Sequence, residues 1–530
     1  MAQLLDRLSQ NPRLLALALG VLAACGFQPL ALWPLALLAL ALLIELVARA
    51  PTPRRAALIG WLFGLGHFTL GTNWIATAFT YQAAMPAWLG WVAVLGIAAF
   101  LAIYPALAAL AAWLAGRRTY GALVLAMAGA WIVSEWLRSW LFTGFAWNPL
   151  AAIALGGFDH PGLAGLAPWL GTYALSGLVV LLAGAWLIAA KRGLADWRGA
   201  ALVLVLVPAM LFLSPLRPPA SPPSPGATMI TLVQPNIDQT VLNDPAMFEA
   251  NFGKLASLSA PRQPGQRRLL LWPESGVPDY LREGYPERYY LGNYGADPVL
   301  ARRRLGSVAG AGGMLLSGTS DLEIGTVEGR LRAVGARNSV TALDETGAIR
   351  GSYAKAHLVP GGEYLPLREW LTPLGLARLV PGDIDFWPGP GPRTVDLGPW
   401  GRVGVQVCYE IIFSGQVTDR ADRPQFIFNP SNDGWFGAWG PPQHLAQARL
   451  RAIEEGLPVL RATTTGISAV IDARGRVLDH LPHQQAGRID MALPDPLPPT
   501  LFARTGNLLA LGWAAVLLVL SAVASRRRGG

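Results

Sequence analysis

Four side chains in this sequence have the type and setting for nucleophilic and acid–base chemistry. Cys408 ends the run Gly401-Arg402-Val403-Gly404-Val405-Gln406-Val407, whose alternating valines read as a strand with one face buried. The following Tyr409-Glu410-Ile411-Ile412-Phe413 predicts a helix start, and a thiol at a strand-to-helix turn would be drawn towards thiolate. The other reading of this Cys is a small buried hydrophobe. Lys355 is one of three lysines among 42 basic residues. Where only charge matters this chain uses Arg, so a Lys points to a compact or deprotonatable ammonium, or else to a surface lysine. Glu274 comes straight after Leu269-Leu270-Leu271-Trp272-Pro273. A carboxylate just past an apolar strand sits where α/β ligand sites form, placed for general-base duty; alternatively it is an exposed loop acid. Glu363, in Gly361-Gly362-Glu363-Tyr364, has a glycine-rich approach that allows unusual backbone angles or an ordinary turn.

These residues must be positioned by a chain of unusual composition. Of 530 residues only 14% are charged and 52% are apolar, the mean hydropathy is +0.37, and twenty are Trp. Ordinary soluble proteins carry about 25% charge, so an all-soluble enzyme is excluded, and so is disorder. Seven apolar segments fill the first 215 residues, at 13–27, 29–48, 56–79, 86–115, 121–137, 166–190 and 199–214, and an eighth lies at 507–524. Most approach the roughly 20 residues that span a bilayer. The first has no cleavage site of the kind that ends a signal peptide. Arg49, Arg54 and Arg55, then Arg117 and Arg118, then Lys191, Arg192 and Arg198, and finally Arg526, Arg527 and Arg528 fall in alternate loops. The positive-inside rule makes those loops and both termini cytoplasmic. Arg138 is the exception, with Glu135 as its expected partner. The net charge of +9 is therefore largely topological, with no basic run that reads as a nucleic-acid surface.

Residues 216–503 then lie outside the cytoplasm. They open on a Pro-rich linker, 215–225, and continue with β-like runs at 229–234, 269–272, 314–318, 339–343, 403–407, 426–429 and 469–471. A helix-like stretch covers 444–456, and Asp344-Glu345-Thr346-Gly347 and Asp472-Ala473-Arg474-Gly475 read as hairpin turns. No internal repeat of 20–50 residues is visible. The two cysteines, Cys25 within the first span and Cys408, are too far apart in this organisation for a disulfide.

The motifs WPES, YAKAHLVPGGEYLP and VGVQVCYE, in that order, resemble those of the nitrilase (carbon–nitrogen hydrolase) superfamily with its Glu–Lys–Cys triad. Seven spans before such a domain and one after it make the chain similar to the apolipoprotein N-acyltransferase family. TLVQPNIDQ from Thr231, NPSNDGWFG from Asn429 and QHLAQARLRAIEEGLPVLRATTTG from Gln443 fit the same family. The resemblance implies a membrane α-helical bundle of eight transmembrane helices with an extracytoplasmic α/β nitrilase-like domain, an αββα sandwich. The divisions would be 1–215, 216–503 and 504–530. It implies that Cys408 takes an acyl chain from a membrane phospholipid as a thioester, with Glu274 as base. Lys355 and the N–H after Cys408 would hold the oxyanion, and Glu363 would position Lys355 or Glu274. Tyr409 and Glu410 would be supporting residues. The acceptor would be the α-amino group of an S-diacylglyceryl apolipoprotein. The resemblance further implies no cofactor, a monomer, and a bacterial inner membrane with the catalytic domain on its periplasmic side.

The residues alone leave two other readings: a membrane-tethered amidase acting on a small amide, and a transporter with an external binding domain. Tyr280, Tyr285, Tyr289, Tyr290 and Tyr294, with Trp370, Trp387, Trp435, Phe436 and Trp439, read either as a lipid-inserted lid or as a satellite core under loops. His357 and His444 are alternative bases ranked below Glu274. The six His form no ligand spacing, so no metal is expected. His67, Asn73, Trp74 and Glu135 are polar groups at membrane depth, read as helix-packing contacts or a substrate portal.

Overall fold

A computed structural model describes residues 11–81, 86–192, 198–199, 226–263, 265, 267–374 and 384–526. The expected span 199–214 and the Pro-rich linker 215–225 lie essentially outside the described residues, as do Arg527 and Arg528. The N-terminal half is helical: α1 Pro12–Ala24, α2 Trp33–Ala48, α3 Pro53–Gly71, α4 Leu89–Leu101, α5 Ile103–Gly116, α6 Tyr120–Arg138 and α7 Ala167–Arg192. Helix starts obey local chemistry. Thr52 and Thr119 cap α3 and α6 by accepting from Arg55 N and Ala122 N, and Pro53 occupies the first turn of α3, where its missing N–H costs nothing.

Among the described residues, four helical stretches are long and apolar enough to cross a membrane: Leu89–Gly116, Tyr120–Arg138, Leu163–Lys191 and Asn507–Arg526. The first two expected spans form shorter helices of 13 and 16 residues, because the chain between them turns over residues 25–32. Helices α1 and α3 pack closely. A Cβ at Gly20 would strike the Phe63 carbonyl and one at Gly66 the Leu17 carbonyl, so only glycine permits this approach. The basic loop residues gather at one end of the bundle. Lys191 and Arg49 both pair with Glu45, Arg117 lies over Trp113, and Trp113 donates to Ala50 O.

At the other end sits a two-sheet domain. Its strands are β1 Met229–Gln234, β2 Leu269–Leu271, β3 Met314–Val327, β4 Arg330–Asp344, β5 Ile349–Ala354, β6 Thr394–Asp396, β7 Arg402–Val405, β8 Phe426–Ser431, β9 Val459–Thr463, β10 Ser468–Ile471, β11 Val477–Leu481 and β12 Gly487–Ala492. The sheet orders are β12-β1-β2-β3-β4-β5 and β11-β10-β9-β8-β7-β6. Strands β1, β2, β3 and β7, β8, β9 run parallel, and every other pairing is antiparallel. The same pairing pattern thus occurs in both sheets, although the sequence shows no repeat. Both expected hairpin turns are present, joining β4 to β5 and β10 to β11.

Leu269, Leu271, Leu316 and Val340 on one sheet meet Val403, Val405, Phe428 and Leu460 on the other in a single core. Leu270, Trp272 and Leu315 face the opposite way, onto helices α8 Phe248–Leu258 and α9 Pro298–Ala309. Strand β2 is covered on both faces, which is why it reads as an unbroken apolar run. Helix α10, Gly440–Glu455, covers the second sheet and carries no exposed residue. Its Leu445, Ala448 and Ala452 join the sheet core, while Leu450 and Ile453 join the core of the bundle. The outer layer of the sandwich is therefore wedged between sheet and membrane helices. Helix α11, Asn507–Arg526, returns through the bundle.

Candidate active site

The C-terminal ends of three strands, parallel β2 and β7 and antiparallel edge strand β5, deliver the functional groups. Glu274 lies just after β2, Lys355 directly after β5 and Cys408 just after β7, and all three are buried, Lys355 to 1% exposure and Cys408 to 5%. Gly318 on β3 makes room for the first of them, since a Cβ there would lie 2.6 Å from the Glu274 Cα. Lys355 Nζ stands 2.9 Å from Glu363 Oε2 and 3.6 Å from Glu274 Oε1. Burial opposes the Lys355 charge, but Glu363 and then Glu274 outweigh it, and the ammonium is held above the ordinary lysine range. The structure thus brings together Glu274, Lys355, Glu363 and Cys408.

Cys408 departs from one expectation. It opens a single 3-10 turn, Cys408–Ile412, rather than an α-helix, and Cys408 itself has a φ of +50°. With no α-helix N-terminus to favour thiolate, burial and then the charge of Glu274 push the thiol well above its ordinary range, with Lys355 opposing. At neutral pH the Cys408 thiol is therefore protonated, and chemistry at its sulfur would need a base.

The Glu274 carboxylate is held from both sides. Its Oε1 accepts from Asn338 Nδ2 at 2.7 Å and its Oε2 from Asn432 N at 2.7 Å. Asn338 Nδ2 also donates to Glu363 Oε1 at 2.8 Å, and the Asn338 carbonyl accepts from Lys355 N at 2.8 Å. Asn338 therefore ties three of the four functional groups, and the sequence gives little sign of it. Its only signal is an amide inside a long strand. Asn432, which contributes a backbone N–H, lies within NPSNDGWFG, but nothing in that motif marks its role.

Glu410 is placed beside the reacting groups, with its carboxylate turned to the loops that carry them. Oε1 accepts from Tyr353 OH, Ala356 N and His357 N, and Oε2 accepts from Val407 N. One carboxylate thus clamps the segment after Lys355 to the residue before Cys408. Burial raises it to about 7, against those hydrogen bonds. Because the folded value lies above the unfolded one, folded protein keeps a proton between about pH 4.5 and 7 that the unfolded chain has lost, so this group's contribution to stability declines as pH rises through that window. Activity should run the other way, since a protonated carboxyl releases one of its N–H partners. Between pH 8 and 6 the wild type is expected to lose several-fold more activity than Glu410→Gln, as read from paired pH–rate profiles.

The two histidines serve other purposes. His444 Nε2 lies 3.1 Å from the Cys408 carbonyl, which can only accept, so that nitrogen carries the proton. Nδ1 lies 3.0 Å from Arg461 Nη2 and 3.1 Å from Asp433 Oδ1. Burial and Arg461 hold the ring neutral, and it bonds the Cys408 backbone carbonyl. The ligand atoms of Cys408, Asp433 and His444 lie within 4.8 Å of one another, a spacing that would admit a metal ion. Arg461 bonds both Asp433 and His444 and already supplies a cation there. His357 comes after the end of β5, stacks on Phe413 at 3.7 Å and reaches Thr143 O at 2.7 Å.

The tyrosine-rich loop is tied to its own backbone and to the first sheet through its hydroxyls. Tyr290 OH donates to Arg282 O, and the hydroxyls of Tyr285 and Tyr289 accept from Leu322 N on β3 and Ala333 N on β4. Phe436 packs on Trp74 and Trp147 at 4.7 and 5.5 Å, joining the domain to the bundle, whereas Trp370 is exposed. Trp74, Trp88, Trp91, Phe436 and Trp439 line a cleft of about 470 Å³ at that junction. The expected Glu135–Arg138 pair does not close. Glu135 accepts from Trp131 Nε1 and Leu150 N, and Arg138 donates to the carbonyls of Phe145 and Trp147.

Comparison with known proteins covers both halves. Residues 19–185 match the apolipoprotein N-acyltransferase N-terminal domain and residues 229–494 the carbon-nitrogen hydrolase domain. The chain is 32% identical over 534 residues to a protein named apolipoprotein N-acyltransferase from Rhodopseudomonas palustris, covering 97% of this chain and 95% of that one. It is 35% identical over 539 residues to one from Bradyrhizobium diazoefficiens, covering 97% and 94%. An amidase from Nesterenkonia sp. overlays with a TM-score of 0.33 at 21% identity, over 51% of this chain and 92% of that one.

Proposed function

Because the chain belongs to the apolipoprotein N-acyltransferase family, we propose that Glu274, Lys355 and Cys408 are the machinery with which it transfers a fatty acyl chain from a membrane phospholipid to an apolipoprotein. Supporting this assignment is a single observation: the buried Cys408 thiol shares its site with an ammonium paired with two carboxylates, at 2.9 and 3.6 Å.

In the first half-reaction Glu274 takes the thiol proton as Sγ attacks the ester carbonyl carbon. Lys355 Nζ and the Tyr409 N–H stabilise the oxyanion. The C–O bond breaks, Glu274 returns the proton to the leaving alkoxide, and a lysophospholipid departs from a Cys408 thioester. In the second, the α-amino group of the S-diacylglyceryl cysteine attacks the thioester, Glu274 accepts its proton, and the amide forms as the thiol is restored. Glu363 and Asn338 keep Lys355 and Glu274 in register.

Both substrates are lipid-anchored, and the aromatic cleft where bundle meets domain suits an acyl chain. The reading has eight spans, seven within 1–215 and one within 504–530, with the catalytic domain 216–503 outside the cytoplasmic membrane and both termini inside. The gathering of Arg49, Arg117 and Lys191 at the end away from the domain supports this orientation. The enzyme acts as a monomer, without cofactor or metal.

The test uses full-length protein in detergent with mixed phosphatidylethanolamine and phosphatidylglycerol and a diacylated cysteine peptide. N-acylated peptide and lysophospholipid are expected in equal amounts. Unmodified peptide alongside ammonia release from small amides would replace this reading with a hydrolase.

A further inference from the structure

Arg138 is a buried cation at the end of a membrane helix, an expensive placement that calls for a function. Its guanidinium donates to Phe145 O at 2.9 Å and Trp147 O at 2.7 Å, and its own carbonyl accepts from Phe145 N at 2.8 Å. These bonds close a loop in which Phe142, Thr143 and Gly144 all have left-handed backbones, at φ +52°, +75° and +78°. Two consecutive non-glycine residues in that region are strained and persist only where the surroundings impose them.

The far side of the loop touches the segments that carry Lys355, Glu363 and Cys408. His357, two residues after Lys355, reaches Thr143 O at 2.7 Å. Tyr409, next to Cys408, donates to Gly144 O at 3.2 Å. Tyr364, next to Glu363, interacts with the Thr143 side chain. Trp147 Nε1 donates to Gln443 Oε1 at 2.7 Å on α10, one residue before His444.

We propose that Arg138 is a positioning residue for acyl transfer: by holding the loop 141–147 it sets the mutual placement of the Lys355, Glu363 and Cys408 segments from within the membrane bundle. This rests on Cys408 being the acylated nucleophile, so wild type beside Cys408→Ala is run first, and a wild type that fails to acylate counts against that reading alone.

The experiment measures single-turnover acylation of Cys408 in full-length protein, with phospholipid and with p-nitrophenyl butyrate as a small soluble donor. Arg138→Met should slow both about 10–100-fold, and Arg138→Lys, which can still bond one carbonyl, should recover most of the loss. Arg138→Met combined with Tyr409→Phe should be little slower than the worse single variant, because both act through one loop. Multiplicative losses, or slowing with phospholipid alone, would overturn the proposal. So would a folded Arg138→Met fraction that acylates at the wild-type rate. If Arg138→Met does not fold, His357→Phe, which keeps the ring stacked on Phe413 but loses the Thr143 bond, must show the same slowing with both donors, and wild-type rates there overturn it equally.

Discussion

Wild-type protein incubated with phospholipid and no peptide is expected to gain the mass of one fatty acyl chain, and Cys408→Ala to gain none. The adduct should be removed by neutral hydroxylamine, which cleaves thioesters, and should vanish when a diacylated cysteine peptide is added and becomes N-acylated. Turnover in Cys408→Ala should fall about 10⁴-fold or more, the scale for deleting a covalent nucleophile. Cys408→Ser tests the same point differently, because a serine hydroxyl is far harder to deprotonate than a thiol and Glu274 is unchanged. An adduct that survives in Cys408→Ala would move the nucleophile elsewhere and end the mechanism as written.

The second large effect is expected at Lys355. Lys355→Met removes an oxyanion donor, worth about 10²–10³-fold for a single group, and leaves Glu274 and Glu363 buried without their shared cation. The loss should therefore exceed the single-donor range, to about 10⁴-fold in both half-reactions. Lys355→Arg restores the charge but should recover less than a tenth of the activity. At 1% exposure there is no room for a planar fork, which cannot place one compact ammonium between two carboxylates and the reacting oxygen. Kinetics of thioester formation and of peptide acylation, measured separately, check this. Full activity in Lys355→Arg would show that Lys355 serves only as a charge.

Residue type and position make much of this site legible in the sequence. Lys355 stands out because the chain otherwise uses Arg, and Glu274 because an apolar strand stops just before it. The strands expected at 229–234, 269–272, 314–318 and 426–429 form where alternation or unbroken apolar runs predict them. Strands β9 and β12 escape notice for a physical reason. Arg461 interrupts β9 because it serves Asp433 and Asn429 in the core, and β12 carries Arg488 and Asp490, which pair with each other. The helix expected after Cys408 ends as a single 3-10 turn with the Glu410 side chain folded back onto Val407 N, a contact that no periodicity encodes. Asn338 and the N–H of Asn432 lie beyond sequence reading because their value comes from groups far along the chain. The same holds for Thr143 and Gly144, whose carbonyls matter only once the bundle has placed them under the catalytic loops.

The burial that keeps Cys408 protonated should also shield it from oxidation. Oxidants and exchanging disulfides attack the thiolate, and they need access to it. A thiol with 5% exposure and a raised pKa offers neither, and Cys25 and Cys408 are both free. Under the proposed mechanism, reactivity should be withheld until an acyl ester enters the site. Wear then scales with the number of turnovers rather than with time spent idle in the membrane.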